Sequence, residues 1–397
     1  MKSLGHFLWL KCGLPKQQNE ASPLTDLRKI KPMKLTMNNA NIMKRIFLIS
    51  SLFVFILMGS YFLYNSVQLY KLLYYPPRYP IYEDLTDLND NTLGHYYLSS
   101  KGEQVHAIEH GLIPYEVLDK DGILMVNYDN LLLYKSGITG KKYNPGTICW
   151  YALEIWENYL KTNGKNDRDN FIKYSDWLIN HLENGKWYYY FDNTQFGIKK
   201  PWASAFSQSL GISVLLRAYQ LTNDQKYLNG AKKAFDIMAL SIEQGGVLYR
   251  KNSTSFWFEE FPNVKTPIHS MNGHIWALFG ILDFCRVTHS PIASELFQNG
   301  INALKSDLYK YDTGYWALYD QKIRAPLKSN YFEIEIHQLN ILYVLTKETI
   351  FLEYALKFKS YQHNKKSFIK ILFLTIDNLI ITNIRNKIVD SVNNLSR

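Results

Sequence analysis

The sequence predicts a mainly α protein: an (α/α) toroid of helical hairpins with short aromatic β-hairpins lining its cleft, preceded by a transmembrane helix and a small β-containing segment. Three observations predict it. Helix openings recur at Pro145, Gln208, Asn272 and His337, in steps of 63, 64 and 65 residues. Each carries apolar residues at helical spacing, as in Ile212, Leu215, Leu216 and Tyr219. Between successive hairpins lie short Gly-bounded aromatic runs that lack helical periodicity. A regular helix–turn–helix repeat of this kind marks stacked or closed helical arrays.

The elements follow in order. Residues 1–45 form a basic tail with nine Lys/Arg against Glu20 and Asp26. Residues 46–70 hold no formal charge and open with IFLISSLFVFILMGSYFLY. About 20 apolar residues at ~1.5 Å each span a bilayer core. Six Lys/Arg lie between Arg28 and Arg45, against only Lys71 and Arg78 just downstream. The positive-inside rule then expects a signal-anchor, with a cytoplasmic N-terminus and the catalytic domain extracytoplasmic or luminal. A buried core helix and a cleaved signal peptide are the alternatives.

Residues 71–143 read as a linker with a small β-hairpin such as Ile123–Tyr134. Residues 144–362 form the hairpin array. Its aromatic separators are Lys186–Asp192, Gly246–Arg250, Phe256–Pro262 and Gly314–Asp320, which read as strands or hairpins. Residues 363–397 read as a terminal helix or tail.

With 397 residues, 47% of them hydrophobic, the chain can fill a large core, which excludes disorder. The net charge of +10 sits at the ends, +7 in residues 1–45 and +4 in 363–397, leaving −1 for the body. That distribution excludes a nucleic-acid footprint across the fold. Cys12, Cys149 and Cys285 are too few and too scattered for a disulfide framework or zinc site. Neither metal nor cofactor is expected.

No Gly-rich phosphate loop, HExxH or GxSxG pattern is present in the body. The chemistry-bearing feature is Trp257-Phe-Glu-Glu-Phe-Pro262. Two adjacent carboxylates in an apolar run are costly to bury without partners. On a strand they face opposite sides, so one can enter a cleft while the other pairs or solvates. A carboxylate among aromatics is pushed up in pKa and becomes usable in acid–base chemistry near neutrality. A structural ion pair or an exposed turn explains the same pattern. Amides at the helix openings, Gln208, Asn272 and Gln338, together with His337, would point into an aromatic-walled cleft suited to sugar rings.

Residues Trp202–Tyr361 resemble the C-terminal domain of the D-glucuronyl C5-epimerases, and Asn144–Asp192 do so more loosely. The ordered motifs are Ser204–Gln208, Leu216–Tyr219, Trp257–Pro262, Asn272-Gly273, Leu278–Gly280 with Asp283, Tyr311–Gly314, Tyr319-Asp320, and Tyr331 ahead of Ile336–Leu339. The resemblance implies conversion of glucuronate to iduronate within a heparosan-like polymer, by removal of the C5 proton and reprotonation from the opposite face. It assigns Glu260 as the carboxylate base and Tyr331 as the tyrosine facing it. Tyr319 becomes a second active-site tyrosine, with contact to the substrate carboxylate expected. Gln208 and Asn272 would bind sugar hydroxyls, and Arg250 and Lys322 (with Arg324 nearby) the uronate charge. Trp257 and Glu259 complete the expected substrate-binding set.

The chain departs from the family in carrying Phe261 and Phe258 where tyrosines are usual and Lys322 where Arg is usual. The implied partners are an acidic polysaccharide and, through 46–70, the lipid bilayer, with no nucleic acid; a homodimer is left open. A polysaccharide lyase or glycoside hydrolase on the same scaffold, and an inactive carbohydrate-binding homologue, are the competing readings.

Overall fold

The computed structural model describes most of residues 47–60, 103–130, 138–250 and 256–371. The chain divides into two units, Met1–Tyr61 and Phe62–Arg397. In the first, the described residues between 47 and 60 are helical. No helix among the described residues is long and apolar enough to cross a membrane. Most of the expected span 46–70 lies outside the described residues, as do the tail 1–45 and most of 363–397.

The second unit is mainly helical. It opens with α1 (Glu103–Glu109) and a three-stranded antiparallel sheet of β1 (Glu116–Leu118), β2 (Leu124–Asn127) and β3 (Lys141–Lys142). Val126 is opposite Glu116 on one side and Lys142 on the other. The hairpin expected at Ile123–Tyr134 is thus replaced by pairing with an earlier strand, and residues 131–137 lie outside the described set.

Four helical hairpins follow: α2 (Pro145–Thr162) with α3 (Lys165–Asn180), α4 (Ala205–Thr222) with α5 (Gln225–Ala239), α6 (Met271–Thr288) with α7 (Pro291–Asp307), and α8 (Ser329–Thr346) with α9 (Thr349–Gln362). Every hairpin turns in two residues after a threonine: Thr162-Asn-Gly, Thr222-Asn-Asp, Thr288-His-Ser and Thr346-Lys-Glu. The first turn residue is left-handed each time, at Asn163 (φ 47°), Asn223 (φ 57°), His289 (φ 53°) and Lys347 (φ 61°). The threonine hydroxyl donates to the preceding helical turn (Thr222 to Ala218 O, 2.7 Å) or accepts from the turn backbone (Gly164 N to Thr162, 3.0 Å). Several helix starts are capped by a polar side chain. Asn144 accepts from Thr147 N with Pro145 at the first position, and Ser204 accepts from Phe206 N.

Helices α2, α4, α6 and α8 are buried around most of their circumference and pack side by side in that order. Their partners α3, α5, α7 and α9 bury one face and expose the other. The α4–α6 contact is close because Gly280 lacks a side chain: a Cβ there would stand 2.5 Å from Ser209 O. The same two helices share a buried ion pair, Arg217 to Asp283 at 2.7 Å.

The aromatic separators are less regular than expected. Gly246–Arg250 and Phe256–Pro262 supply β4 (Leu248–Arg250) and β5 (Phe256–Phe258), an antiparallel pair with Tyr249 opposite Trp257. Lys186–Asp192 and Gly314–Asp320 make only isolated bridges, Tyr189 to Trp202 and Ser270 to Asp320 among them.

Candidate active site

The site is built where β5 runs into the α6 N-terminus. Glu259 N donates to Val247 O (2.9 Å) and Glu259 O accepts from Ala205 N (3.0 Å), pinning the chain after β5 to the residue before β4 and to the first residue of α4. Glu259 and Glu260 lie just past the end of β5, not on a strand as the sequence predicts, and at this bend the two carboxylates diverge. Glu259 is fully buried and accepts from His269, through the backbone N (3.1 and 3.3 Å) and from Nδ1 at 2.5 Å. Glu260 turns the other way, half-buried, and its Oε2 accepts from Ser270 Oγ (2.7 Å) and from the Tyr319 hydroxyl (2.8 Å).

Those two donors are neighbours because the backbones of 268–271 and 319–321 pair. Gln321 N donates to Ile268 O (3.1 Å) and Met271 N to Tyr319 O (3.2 Å). Tyr331, in the first turn of α8, sets its ring edge-to-face on Tyr319, centroids 5.5 Å apart. Gly273 makes room for the carboxylate: a Cβ there would lie 2.6 Å from Glu260 Cβ and 2.7 Å from Oε2. Behind Glu260, Phe261 stacks on Phe196 at 4.1 Å in an apolar cluster with Trp202 and Ile268, against which Tyr319 also packs.

Electrostatics follow from this enclosure. Burial pushes the Glu260 carboxyl up to about 7. The hydrogen bonds from Ser270 and Tyr319 pull it back, and the charges of Glu259 and Asp320 push it further up. Burial drives His274 down to about 3; it is held by Phe258 N (3.0 Å) and Gly300 O (3.1 Å) and stacked on Trp257 at 4.0 Å. Glu335 lies one turn beyond Tyr331 on the same face of α8. It is fully buried, both its carboxyl oxygens lack a hydrogen-bond partner, and burial raises its pKa well above the carboxylate range. Asn272 Oδ1 and Gln338 Oε1 are also unpartnered, with Gln338 Nε2 donating to Asn272 O (3.1 Å).

The structure thus brings Glu260, Tyr319 and Tyr331 together and sets Asn272 beside them, 5% exposed, next to the Gly273 that Glu260 touches. It removes others from reach of a sugar. Gln208 is fully buried, its amide spanning Trp187 N (2.9 Å) and Gly185 O (2.8 Å), so it braces the core. Trp257 is buried between His269 and His274 with its Nε1 donating to Ser270 O, so it offers no free face. Glu259 is consumed by His269. His337 and Gln338 sit more than two turns inside α8, which starts at Ser329, so neither is at a helix opening.

Arg250 and Arg324 are exposed. Lys322 is exposed and donates to Thr266 Oγ1 (2.8 Å), on the loop joining Glu260 to Ser270. Sequence reasoning missed Ser270, His269 and Glu335, and named Gly273 only as part of a motif. The available signal was a second pair, His269-Ser270, ten residues after Glu259-Glu260. Cys149 and Cys285 are free thiols, and no cluster of metal-ligating side chains occurs among the described residues.

Every residue of this constellation falls inside a family match. The family described as D-glucuronyl C5-epimerase C-terminus matches residues 180–360. An uncharacterized protein of Methanocaldococcus jannaschii is 31% identical over 241 residues, 55% of this chain and 78% of that protein. The chain belongs to the D-glucuronyl C5-epimerase family. Its enzyme class is therefore that of the isomerases acting on carbohydrates. The D-glucuronyl C5-epimerase of Caenorhabditis elegans is 27% identical over 220 residues, which is 50% of this chain and 35% of the worm enzyme. The chain thus spans about a third of that relative.

Among solved structures, a sugar epimerase from a ruminal bacterium aligns with TM-score 0.46 and 13% identity, covering 66% of this chain and 68% of that one. A GH76 α-mannanase from Bacteroides thetaiotaomicron aligns with TM-score 0.43 and 15% identity, covering 65% and 68%. Phe261, where the resemblance leads one to expect a tyrosine, stacks its ring on Phe196.

Proposed function

We propose that this chain is a polysaccharide uronate C5-epimerase converting D-glucuronate to L-iduronate residues in a heparosan-like acidic polymer. The observation that carries the reading is Glu260: a carboxyl poised at about 7 and held by Ser270 and Tyr319 beside a second tyrosine, in a chain of this family. The C5 proton is weakly acidic, so its removal needs a base matched to neutral pH and donors for the enediolate that forms.

Glu260 takes the proton from one face of the ring. Tyr331 returns one from the other, which inverts C5. The Tyr319 hydroxyl is placed to release Glu260 and donate to the substrate carboxylate as charge moves onto it. Lys322 supplies a cation at the loop edge. A hydrolase needs two carboxylates about 5 to 10 Å apart across the scissile bond. Glu259 is turned away and tied to His269, which disfavours that reading.

The supporting scaffold is read as an (α/α) toroid, and the apolar run 46–70 as a single-pass anchor that places the catalytic domain outside the cytoplasm or in a secretory lumen. The test is incubation of the full chain with unsulfated and N-sulfated heparosan in D₂O, followed by NMR. Deuterium at C5 with iduronate signals is expected. An unsaturated uronate product would reassign the chain as a lyase, and no exchange on either polymer would overturn the substrate class.

A further inference from the structure

Glu260 and Ser270 form one of two rungs between the same stretches of chain. The other rung, one residue earlier on each side, is Glu259 with His269. The first rung holds the half-buried Glu260 and the second the fully buried Glu259.

His269 is tightly constrained. Its φ of +54° is left-handed, a conformation a residue with a Cβ adopts only when its surroundings impose it. The surroundings do so at every polar group but one. Its N–H and Nδ1 engage Glu259. Its carbonyl accepts from the Tyr311 hydroxyl (2.6 Å), which itself accepts from Gln321 Nε2 (3.0 Å). The ring lies against Tyr249 and Trp257, each 5.2 Å away. Ser270 follows directly, and its hydroxyl lands on Glu260.

We propose that His269, gripped by the buried Glu259, is a positioning residue that fixes Ser270 against the Glu260 carboxyl and so sets the state of the base. The inference rests on the reading of Glu260 as that base, and it deepens it. His269 touches no substrate; it acts through the backbone it shares with Ser270. The ionisable groups around it are Glu259, Tyr311, His274 and Asp307; Tyr319 faces Glu260, and the charges of Glu259 and Asp320 act on it.

The test needs no substrate. The full chain labelled with ¹³C at glutamate carboxyls is titrated by NMR, and the Glu260 resonance is assigned by its loss in Glu260→Gln. Ser270 pulls the Glu260 carboxyl down, so freeing it should raise the midpoint by ~0.5 unit or more in His269→Gly and equally in Ser270→Ala. His269→Asn tolerates positive φ and keeps an amide donor, and it should stay near the wild-type midpoint. In the exchange assay His269→Gly should lower kcat about tenfold with little change in KM, the split expected when only transition-state alignment is lost.

A folded His269→Gly with the wild-type midpoint overturns the proposal. If the glycine variant does not fold, amide exchange in the wild type decides. Protection of the His269 N–H at core level supports the latch, and exchange at the rate of an exposed loop contradicts it. A wild-type chain that titrates as expected but exchanges no C5 proton would sink the epimerase reading and leave the latch standing.

Discussion

At the residue scale, Glu260 carries opposite demands of stability and function. Its carboxyl is raised from 4.5 to about 7 by burial, so the folded chain holds that proton more tightly than the unfolded chain does. The stability this confers is complete below pH 4.5 and is lost as pH rises from 4.5 through 7. The loss amounts to about 3 kcal/mol, taking 1.36 kcal/mol per unit. Glu260→Gln should therefore abolish C5 exchange yet raise the melting temperature at pH 8, with little gain at pH 4; a variant destabilised at pH 8 would contradict the buried-carboxyl account. Gly273→Ala should also remove activity, because its Cβ would stand 2.7 Å from Glu260 Oε2. Unaltered kcat in Gly273→Ala would mean the carboxylate does not work from this position. Glu335, buried with no partner for either oxygen, costs stability as it stands. Glu335→Gln should leave the fold as stable or more so by denaturant titration, and a marked loss would show that its carboxyl is used.

At the element scale, the hairpin turns are the repeat's most regular feature. Asn223 closes α4 at φ 57°, a conformation Asn accepts and Ala resists, so Asn223→Ala should cost about 1 kcal/mol and Asn223→Gly nearly nothing. Equal losses in the two variants would deny the left-handed cap. The ion pair joining α4 and α6 is buried on both sides, so Arg217→Leu should cost about 1–3 kcal/mol by removing the guanidinium that Asp283 Oδ2 accepts from.

Much of this layer was legible in the sequence. Helical periodicity located α2 at Pro145, α4 within three residues at Gln208, and α6 within one at Asn272. It placed α8 two turns late, at His337 instead of Ser329. The helix starts at Ser329, after Lys328, which makes no side-chain cap. The site was legible in part. The divergence of Glu259 and Glu260 was expected from strand alternation, but β5 ends at Phe258 and the two part at the bend that follows, held by His269 on one side and by Ser270 and Tyr319 on the other. The convergence of Ser270 and Tyr319 on Glu260 arises from pairing between segments fifty residues apart, and the left-handed φ of His269 is imposed by contacts that sequence patterns do not carry. Gln208 misled because an amide near a helix start reads equally well as a ligand contact or as a brace for Trp187.

At the scale of the whole molecule, the proposed acidic polymer would meet a body of net charge −1, the basic excess lying in residues 1–45 and 363–397. The array holds its carboxylate in an apolar wall, and that wall sets the pH at which the base is ready. The measurement that tests this most directly is the pH dependence of C5 proton exchange on heparosan in D₂O. With Glu260 as the base, kcat/KM should fall about tenfold per pH unit below a midpoint near 7 and level off above it, with the whole profile absent in Glu260→Gln. A profile flat from pH 5 to 8, or an acid limb near the ordinary glutamate value of 4.5, would show that some other group removes the proton.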